Sequence, residues 1–307
     1  MRFARYRSEA GTGVAVAAAT GPFHGLLESS PGFPGTIDDL IRDDALISAG
    51  KALSSSSPRI DLSSVDLLPP LAHPGKVVCV GLNYADHSDE SGFELPSYPT
   101  LFQRFASGLI GHGAPIVRPR VSEQLDYEGE IVAVIGRGGR NISKESALDH
   151  VVGYSLFNDA SIRDYQFKTP QWTIGKNFDD TGSFGPWLVT SEDLPAGCKG
   201  VLLETRLNGK TVQSASTNDL VFDVETLVST LSECFAWQPG DIIVTGTPAG
   251  VGLARKPPLW MRPGDVCEVE ATGLGVLRNP VTDGAGFETT PGPSSGAAHA
   301  VAQHYRT

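Results

Sequence analysis

The feature that most constrains the fold is the segment 131–135 (IVAVI), which is apolar at every position. Successive side chains of a strand point to opposite faces, so a strand of this kind is buried on both. Further short apolar runs, such as 76–81 and 242–245, lie next to Gly/Pro turns. Helical spacing is clearest over 224–235, with Asp223 before it as N-cap. The sequence therefore predicts a β-rich α+β protein with an antiparallel or mixed sheet, and not a doubly wound one.

Proline and glycine divide the chain into three parts. Pro69-Pro70 and His73-Pro74-Gly75 precede the strand at 76–81, which places a boundary near residue 73. We predict a small N-terminal α+β domain over 1–73 and a strand-rich domain over 74–280. The remaining residues, 281–307, are rich in Gly, Ala, Pro and Ser and are predicted to form a disordered tail.

Overall charge excludes some partners. The chain has 24 Lys+Arg and 35 Asp+Glu, a net charge of −11 that repels a phosphate backbone, so we expect no nucleic-acid partner. No run approaches the roughly 18 apolar residues of a membrane span, so we expect no membrane partner. The apolar stretch near the N-terminus is too short and interrupted for a signal peptide and is interpreted as an early strand. Four cysteines without CxxC spacing suit reduced thiols, which predicts a cytoplasmic protein.

Three acids lead into the buried strand. Asp126, Glu128 and Glu130 alternate, so a continuous strand would place them on one face, ~6.8 Å apart. Neighbouring carboxylates at that distance repel by about 2–3 kcal/mol at an effective dielectric near 20. A solvated strand entry is the alternative, but the continuation into a buried strand favours a bound cation. Asp159, after another apolar stretch, is a candidate third ligand, and carboxylates suit Mg²⁺, Mn²⁺ or Ca²⁺.

Two basic groups lie near these acids in sequence. Lys176 is either a solvated amine, the common fate of lysine, or a cation beside the metal that stabilises a developing oxyanion. Arg163 and Asp164 are expected to form a local ion pair.

A candidate base lies earlier in the chain. His87 and Glu90 share a face on a helical turn, so Glu90 can orient the imidazole on a mobile lid. The turn at 245–252 is either a plain strand end or a cradle for a substrate carboxylate.

Six short motifs occur in an order that resembles the fumarylacetoacetate hydrolase family, over about residues 76–280. They are 81–87 (GLNYADH), 99–102 (PTLF), 126–130 (DYEGE), 158–164 (NDASIRD), 171–176 (QWTIGK) and 245–248 (TGTP). The resemblance implies a mixed β-sandwich or β-roll catalytic domain, preceded by a small N-terminal domain, in a homodimer.

The resemblance also implies site residues. A divalent cation, Mg²⁺ first with Mn²⁺ or Ca²⁺ as alternatives, would be held by Glu128, Glu130 and Asp159 beside Lys176. His87 and Glu90 match a water-activating pair. The implied substrate contacts are Tyr84, Arg104, Gln171 and Thr247.

Two departures bear on the reaction. Arg104 stands where the family often has lysine. Leu82 stands where some acylpyruvate-cleaving relatives have an arginine that holds the substrate carboxylate. We predict a metal-dependent hydrolase that cleaves a C–C bond in a small 1,3-dicarbonyl acid, acylpyruvate-like or fumarylacetoacetate-like. The alternatives are an oxo-acid decarboxylase or isomerase on the same site, and a catalytically silent metal-binding protein, which would not need the His87 base.

Overall fold

The computed structural model describes residues 1–18, 20–84 and 96–284 of the 307. These residues form many short strands and few helices, which confirms the β-rich α+β class. The N-terminal part contains the helices α1 (Ile37–Arg42) and α2 (Leu46–Ser56). Its strands are β1 (Arg2–Ser8), β2 (Gly11–Ala17), β3 (Phe23–Leu27), β4 (Arg59–Ile60) and β5 (Asp66–Leu68).

Among its described residues, the following part of the chain contributes further strands and three α-helices. The strands up to the first of these helices are β6 (Val77–Gly81), β7 (Thr100–Gln103), β8 (Leu109–Ile110), β9 (Ile116–Arg118), β10 (Leu125–Asp126), β11 (Gly129–Ile135), β12 (Val151–Asp159) and β13 (Ser161–Ile162). The helices are α3 (Arg163–Gln166), α4 (Thr173–Lys176) and α5 (Val224–Cys234). The later strands are β14 (Gly182–Thr190), β15 (Leu202–Leu207), β16 (Lys210–Ser216), β17 (Ile242–Val244), β18 (Val266–Ala271) and β19 (Gly275–Asp283).

Among the described residues, twelve strands form one central sheet. Its main path runs β4-β3-β2-β1-β14-β12-β11-β17-β6-β7, with β5 paired to β1 and β8 paired to β14. The strand β11 is antiparallel to both β12 and β17, whereas β17 and β6 are parallel. The sheet is therefore mixed, as the sequence predicts.

The strand β11 is the centre of the core. All its residues are buried, which confirms the prediction for 131–135. Ile131, Ala133 and Ile135 pack in a cluster with α5 and with the second sheet, whose order is β16-β15-β18-β19-β9. Val132 and Val134 point the other way, into a cluster that contains residues of α1 and α2. The central sheet thus has a covering layer on each face.

The N-terminal strands continue the central sheet. Phe3 of β1 pairs with Leu188 of β14, so the two parts of the chain share one hydrogen-bonded sheet. The strand β2 confirms the early strand expected from the sequence. The domain boundary near residue 73 stays a prediction.

The strand β19 extends past residue 281, where the tail was predicted to begin. It runs to Asp283, and Val281 pairs with Ile116 of β9. The change in composition begins after this strand, at Gly284, so the predicted boundary was placed a few residues early. Residues 285–307 lie outside the described part of the chain.

Candidate metal centre and active site

The site residues meet at one end of the central sheet. The strand β11 starts beside the end of its antiparallel neighbour β12, where the Asp159 N–H donates to the Glu128 carbonyl at 2.9 Å. On the other side of β11, the segment after β17 returns to the same point. There the Thr247 hydroxyl donates to the Gly129 carbonyl at 3.0 Å. Strand pairing therefore joins residues that are far apart in the sequence.

Three carboxylates gather at this end. Glu128, Glu130 and Asp159 are buried, and one oxygen of each lies within 4.8 Å of the others. The Glu130 carboxylate also accepts a hydrogen bond from the Gly246 N–H. The structure thus brings together the three residues that the sequence predicts as metal ligands.

Lys176 bridges two of these acids. Its Nζ lies 2.6 Å from Glu128 Oε2 and 2.8 Å from Asp159 Oδ2, and the residue is 1 % exposed. Burial lowers the pKa of Lys176, but the charges of Asp159 and Glu128 outweigh it, so the pKa is raised and the amine stays charged. The interpretation of Lys176 as a solvated amine is therefore wrong. Its amine lies among the candidate metal ligands, as the other interpretation expects.

Arg104 also contacts the acids. This buried guanidinium donates through Nη1 to Asp159 and through Nη2 to the Thr181 hydroxyl at 2.6 Å. The sequence placed Arg104 among the substrate contacts. In the structure its guanidinium instead pairs with Asp159 and with the Thr181 hydroxyl. A planar guanidinium can donate to a carboxylate and to a hydroxyl at the same time.

Asp126 does not share a face with the two glutamates. The strand β10 ends at Asp126 and β11 begins at Gly129, so the alternation assumed for a continuous strand is interrupted between them. The Asp126 carboxylate pairs instead with Arg163, whose Nε lies 2.8 Å from Oδ2.

Arg163 has a different partner from the one expected. It pairs with Asp126 and, through Nη2, with Glu128 Oε1 at 2.7 Å. Asp164 accepts a hydrogen bond from Ser122 instead. The expected local pair between Arg163 and Asp164 is therefore wrong, because burial of Arg163 favours partners that are buried with it.

The charge of this cluster fits a divalent cation. Its buried acids are Asp126, Glu128, Glu130 and Asp159, and its buried cations are Arg104, Arg163 and Lys176. Among the described residues the formal charge is thus 3 − 4 = −1 when all are ionised. Burial, with the charges of Asp159 and Glu128, raises the pKa of Glu130 well above its usual range. A divalent cation would more than offset the net negative charge of the cluster. Three carboxylate oxygens are ligands that such hard ions prefer.

A cleft opens onto the carboxylates. Its lining includes Glu128, Glu130 and Lys176, together with Thr247, whose role as a substrate contact stays a prediction. Leu82, which the sequence analysis noted as a departure from some relatives, also lines the cleft. The remaining lining residues are Val80, Gly81, Arg163, Gln166, Phe167, Trp172, Val251 and Leu253.

The other predicted substrate contacts lie elsewhere. Tyr84 is fully buried and Gln171 is exposed, and neither lines the cleft. Gln166 lines it instead and accepts a hydrogen bond from Arg163 at 2.8 Å. The spacing of Gln166 on a helical turn from Arg163 was the signal available in the sequence. His87 and Glu90 lie outside the described residues.

Comparison with known proteins agrees with this geometry. Residues 76–282 match the family model of the fumarylacetoacetate (FAA) hydrolase C-terminal domain. A mitochondrial oxaloacetate tautomerase of Xenopus laevis is 42 % identical over 241 residues, which are 78 % of this chain and 75 % of that protein. Its counterpart in Homo sapiens is 37 % identical over 288 residues, 92 % and 91 % of the two chains.

Solved structures share the fold. A fumarylacetoacetate hydrolase from Exiguobacterium antarcticum superposes with a TM-score of 0.80 at 35 % identity, covering 92 % of this chain and 99 % of the other. A 5-carboxymethyl-2-hydroxymuconate delta-isomerase from Mycobacterium smegmatis gives 0.73 at 31 %, with 92 % and 100 % covered. The maleylpyruvate hydrolase of Sphingobium sp. SYK-6, in complex with manganese(II) and pyruvate, gives 0.76 at 28 %, with 93 % and 100 % covered.

Relatives of this chain are thus enzymes of several reaction classes, and one of them binds a divalent metal. In the described part of the chain, no helix is both long and apolar enough to cross a membrane.

Proposed function

We propose a function from the premise that this chain belongs to the fumarylacetoacetate hydrolase family, whose model covers residues 76–282. The protein is a divalent-metal-dependent enzyme that interconverts the enol and keto forms of a small 2-oxo dicarboxylic acid such as oxaloacetate. The observation that carries this proposal is the buried triad Glu128, Glu130 and Asp159. Lys176 bridges Glu128 and Asp159, and Glu128, Glu130 and Lys176 line a cleft. The similarity to oxaloacetate tautomerases supports the choice of substrate.

The triad would hold the cation, with Mg²⁺ as the proposed ion and Mn²⁺ or Ca²⁺ as the alternatives. A bound divalent cation supplies Lewis-acid polarisation of the neighbouring oxygens of a 2-oxo acid. Lys176 adds a fixed positive charge in the same buried place, where it stabilises negative charge that develops on the substrate oxygen. The Thr247 hydroxyl is held by the Gly129 carbonyl and lies on the wall of the cleft, where its oxygen orients the substrate.

The test is the conversion of enol-oxaloacetate to the keto form, followed by ultraviolet absorbance. Chelator-treated protein should return to the uncatalysed rate and regain activity with Mg²⁺. Full activity in metal-free protein, or no acceleration after Mg²⁺ is restored, would overturn the proposal. Titration with Mg²⁺, Mn²⁺ and Ca²⁺ then ranks the ions.

The second candidate is the hydrolase predicted from the sequence, which cleaves a C–C bond in an acylpyruvate-like or fumarylacetoacetate-like acid. It is favoured by the H-x-x-E spacing of His87 and Glu90 and by the similarity to a maleylpyruvate hydrolase. In this reaction His87, oriented by Glu90, takes a proton from water.

Kinetics of His87→Ala separates the two candidates. Loss of a general base should reduce acylpyruvate hydrolysis by roughly 10²–10⁴-fold. Tautomerisation that depends on the triad and Lys176 should be less affected. Product analysis covers the decarboxylase alternative, because decarboxylation releases carbon dioxide and tautomerisation conserves mass. Absence of acylpyruvate hydrolysis in the wild type would remove the hydrolase candidate.

Two predictions concern the protein in solution. The homodimer implied by the resemblance is tested by light scattering of the purified protein. The cytoplasmic location, inferred from cysteine usage, is tested by cell fractionation, and the two animal relatives described above are named as mitochondrial proteins.

A further inference from the structure

We propose that Asp126 is a positioning residue that joins the metal ligand Glu128 to one wall of the cleft. The inference rests on the proposed metal site, but it concerns a residue outside the ligand triad. Asp126 is fully buried, and its carboxylate accepts hydrogen bonds on both oxygens.

The first arm of this arrangement reaches Glu128. Asp126 Oδ2 accepts from Arg163 Nε at 2.8 Å, and Arg163 Nη2 lies 2.7 Å from Glu128 Oε1. The same guanidinium donates through Nη1 to Gln166 at 2.8 Å. Three edges of one planar group are thereby used, and together they hold the Glu128 carboxylate in one orientation.

The second arm reaches the cleft wall. The Gly252 N–H donates to Asp126 Oδ1 at 2.7 Å, and the Leu253 N–H donates to Oδ2 at 2.9 Å. Leu253 and its neighbour Val251 line the cleft. The approach is close: a Cβ on Gly252 would lie 2.6 Å from Asp126 Oδ1 and 1.9 Å from the Leu259 carbonyl.

The two arms meet at a single carboxylate, so its loss affects both at once. Asp126→Asn replaces one oxygen with an amide NH₂ group. The new NH₂ group is a donor, and it would face N–H groups that are donors themselves. The substitution also removes the negative charge that pairs with Arg163. Partners behind metal ligands typically change metal affinity or activity by about 10–100-fold when they are removed.

The experiment measures Mn²⁺ affinity of the full chain without substrate, from the electron paramagnetic resonance signal of free Mn²⁺. Asp126→Asn should bind Mn²⁺ about 10–100-fold more weakly than the wild type. Arg163→Lys, which keeps the charge but lacks the fork, should weaken it similarly. The double variant should be little worse than either single one, because both remove the same connection.

The matched control is Asp241→Asn. Asp241 is also fully buried, and it pairs with Lys76 and with backbone N–H groups at another place in the fold. Its variant should keep wild-type Mn²⁺ affinity. Thermal unfolding checks that each variant is folded, and Arg163→Lys carries the test if Asp126→Asn does not fold.

The outcomes separate this inference from the proposed function. Wild-type affinity in a folded Asp126→Asn or Arg163→Lys protein would overturn the positioning role, as would equal weakening in Asp241→Asn. Failure of the wild type to bind Mn²⁺ would contradict the metal site itself. A KM for oxaloacetate that rises in Asp126→Asn at saturating Mn²⁺ would support the second arm, through Leu253.

Discussion

Two regions of this protein contain buried acids, and they differ in whether neighbouring cations balance the negative charge. Asp241 has one cation, with Lys76 Nζ at 2.7 Å, and backbone N–H groups of Lys76 and Gln238 complete its hydrogen bonds. The cluster at the end of β11 has four buried acids against three buried cations among the described residues. A buried excess of negative charge is costly, and a bound divalent cation would offset it, whereas the matched pair needs none. Four substitutions test this contrast.

The largest effect is expected for Lys176→Met. Removing one partner of a buried ion pair typically costs 3–5 kcal/mol, because the remaining charge is left without compensation. We expect a loss of about 4 kcal/mol in unfolding free energy without metal, and part of it should return with Mn²⁺. Turnover should fall about 10²–10³-fold, as for loss of a charge-stabilising donor.

Denaturant unfolding with and without Mn²⁺, together with steady-state kinetics, measures both effects. Lys76→Met is the control at the matched pair, where Lys76 is partly exposed. It should lose less stability, and Mn²⁺ should stabilise it only as much as it stabilises the wild type. An equal Mn²⁺ response in the two variants would remove the distinction between the regions.

The next effect concerns a metal ligand. Mn²⁺ at 100 times its dissociation constant should stabilise the wild type by about 2.7 kcal/mol. Glu128→Gln should lose this stabilisation and its activity, because one anionic ligand becomes neutral. Thermal unfolding in a Mn²⁺ series measures the difference. A variant that is stabilised by Mn²⁺ like the wild type would show that Glu128 is not a ligand.

A smaller effect, on stability but not on Mn²⁺ binding, is expected at the matched pair of Asp241 and Lys76. Asp241→Asn should lose about 2 kcal/mol of stability, since an amide cannot accept all the hydrogen bonds of the carboxylate. The Mn²⁺-dependent stabilisation should be unchanged. Unfolding curves at several Mn²⁺ concentrations should therefore be displaced by a constant amount from those of the wild type.

The smallest effect is expected at a partly buried helix end, away from both regions. Asp223 caps α5, and its carboxylate accepts from the Thr226 N–H at 2.9 Å, as the sequence predicts. Asp223→Ala should cost about 1 kcal/mol at neutral pH. Burial raises the pKa of Asp223, but its hydrogen bonds to Thr226 and its basic partners outweigh this and hold the pKa below its usual range.

The sign of the pH effect follows from that lowered pKa. The contribution of Asp223 is complete above the pKa of the unfolded chain, about 4, and is lost as the pH falls through the folded pKa. The stability difference between wild type and Asp223→Ala should therefore shrink below about pH 4. Unfolding at pH 7, 5 and 3 measures it, and a difference that grows toward low pH would contradict the cap.

Local sequence patterns predicted the parts of the fold that depend on local physics. The apolar segment 131–135 and the capped helix α5 were recognisable because burial and capping act on neighbouring residues. The triad was recognised as well, through alternation in one segment and a motif at Asp159.

The partners of the site could not be predicted in the same way. Asp126 pairs with Arg163 across 37 positions and with Gly252 across 126, which only the folded sheet brings together. Arg104 was assigned to the substrate because nothing in the sequence around it indicates that its guanidinium pairs with Asp159. Gln171 was assigned to the substrate from the resemblance, whereas the structure places Gln166 on the cleft.

We propose that one divalent cation at the triad carries the activity. The most direct test adds Mn²⁺ stepwise to chelator-treated wild type and measures bound Mn²⁺ and the oxaloacetate tautomerisation rate in the same samples. We predict that the rate rises in proportion to occupancy and reaches its plateau at one Mn²⁺ per chain. A full rate before any Mn²⁺ is bound, or full occupancy without acceleration, would contradict it.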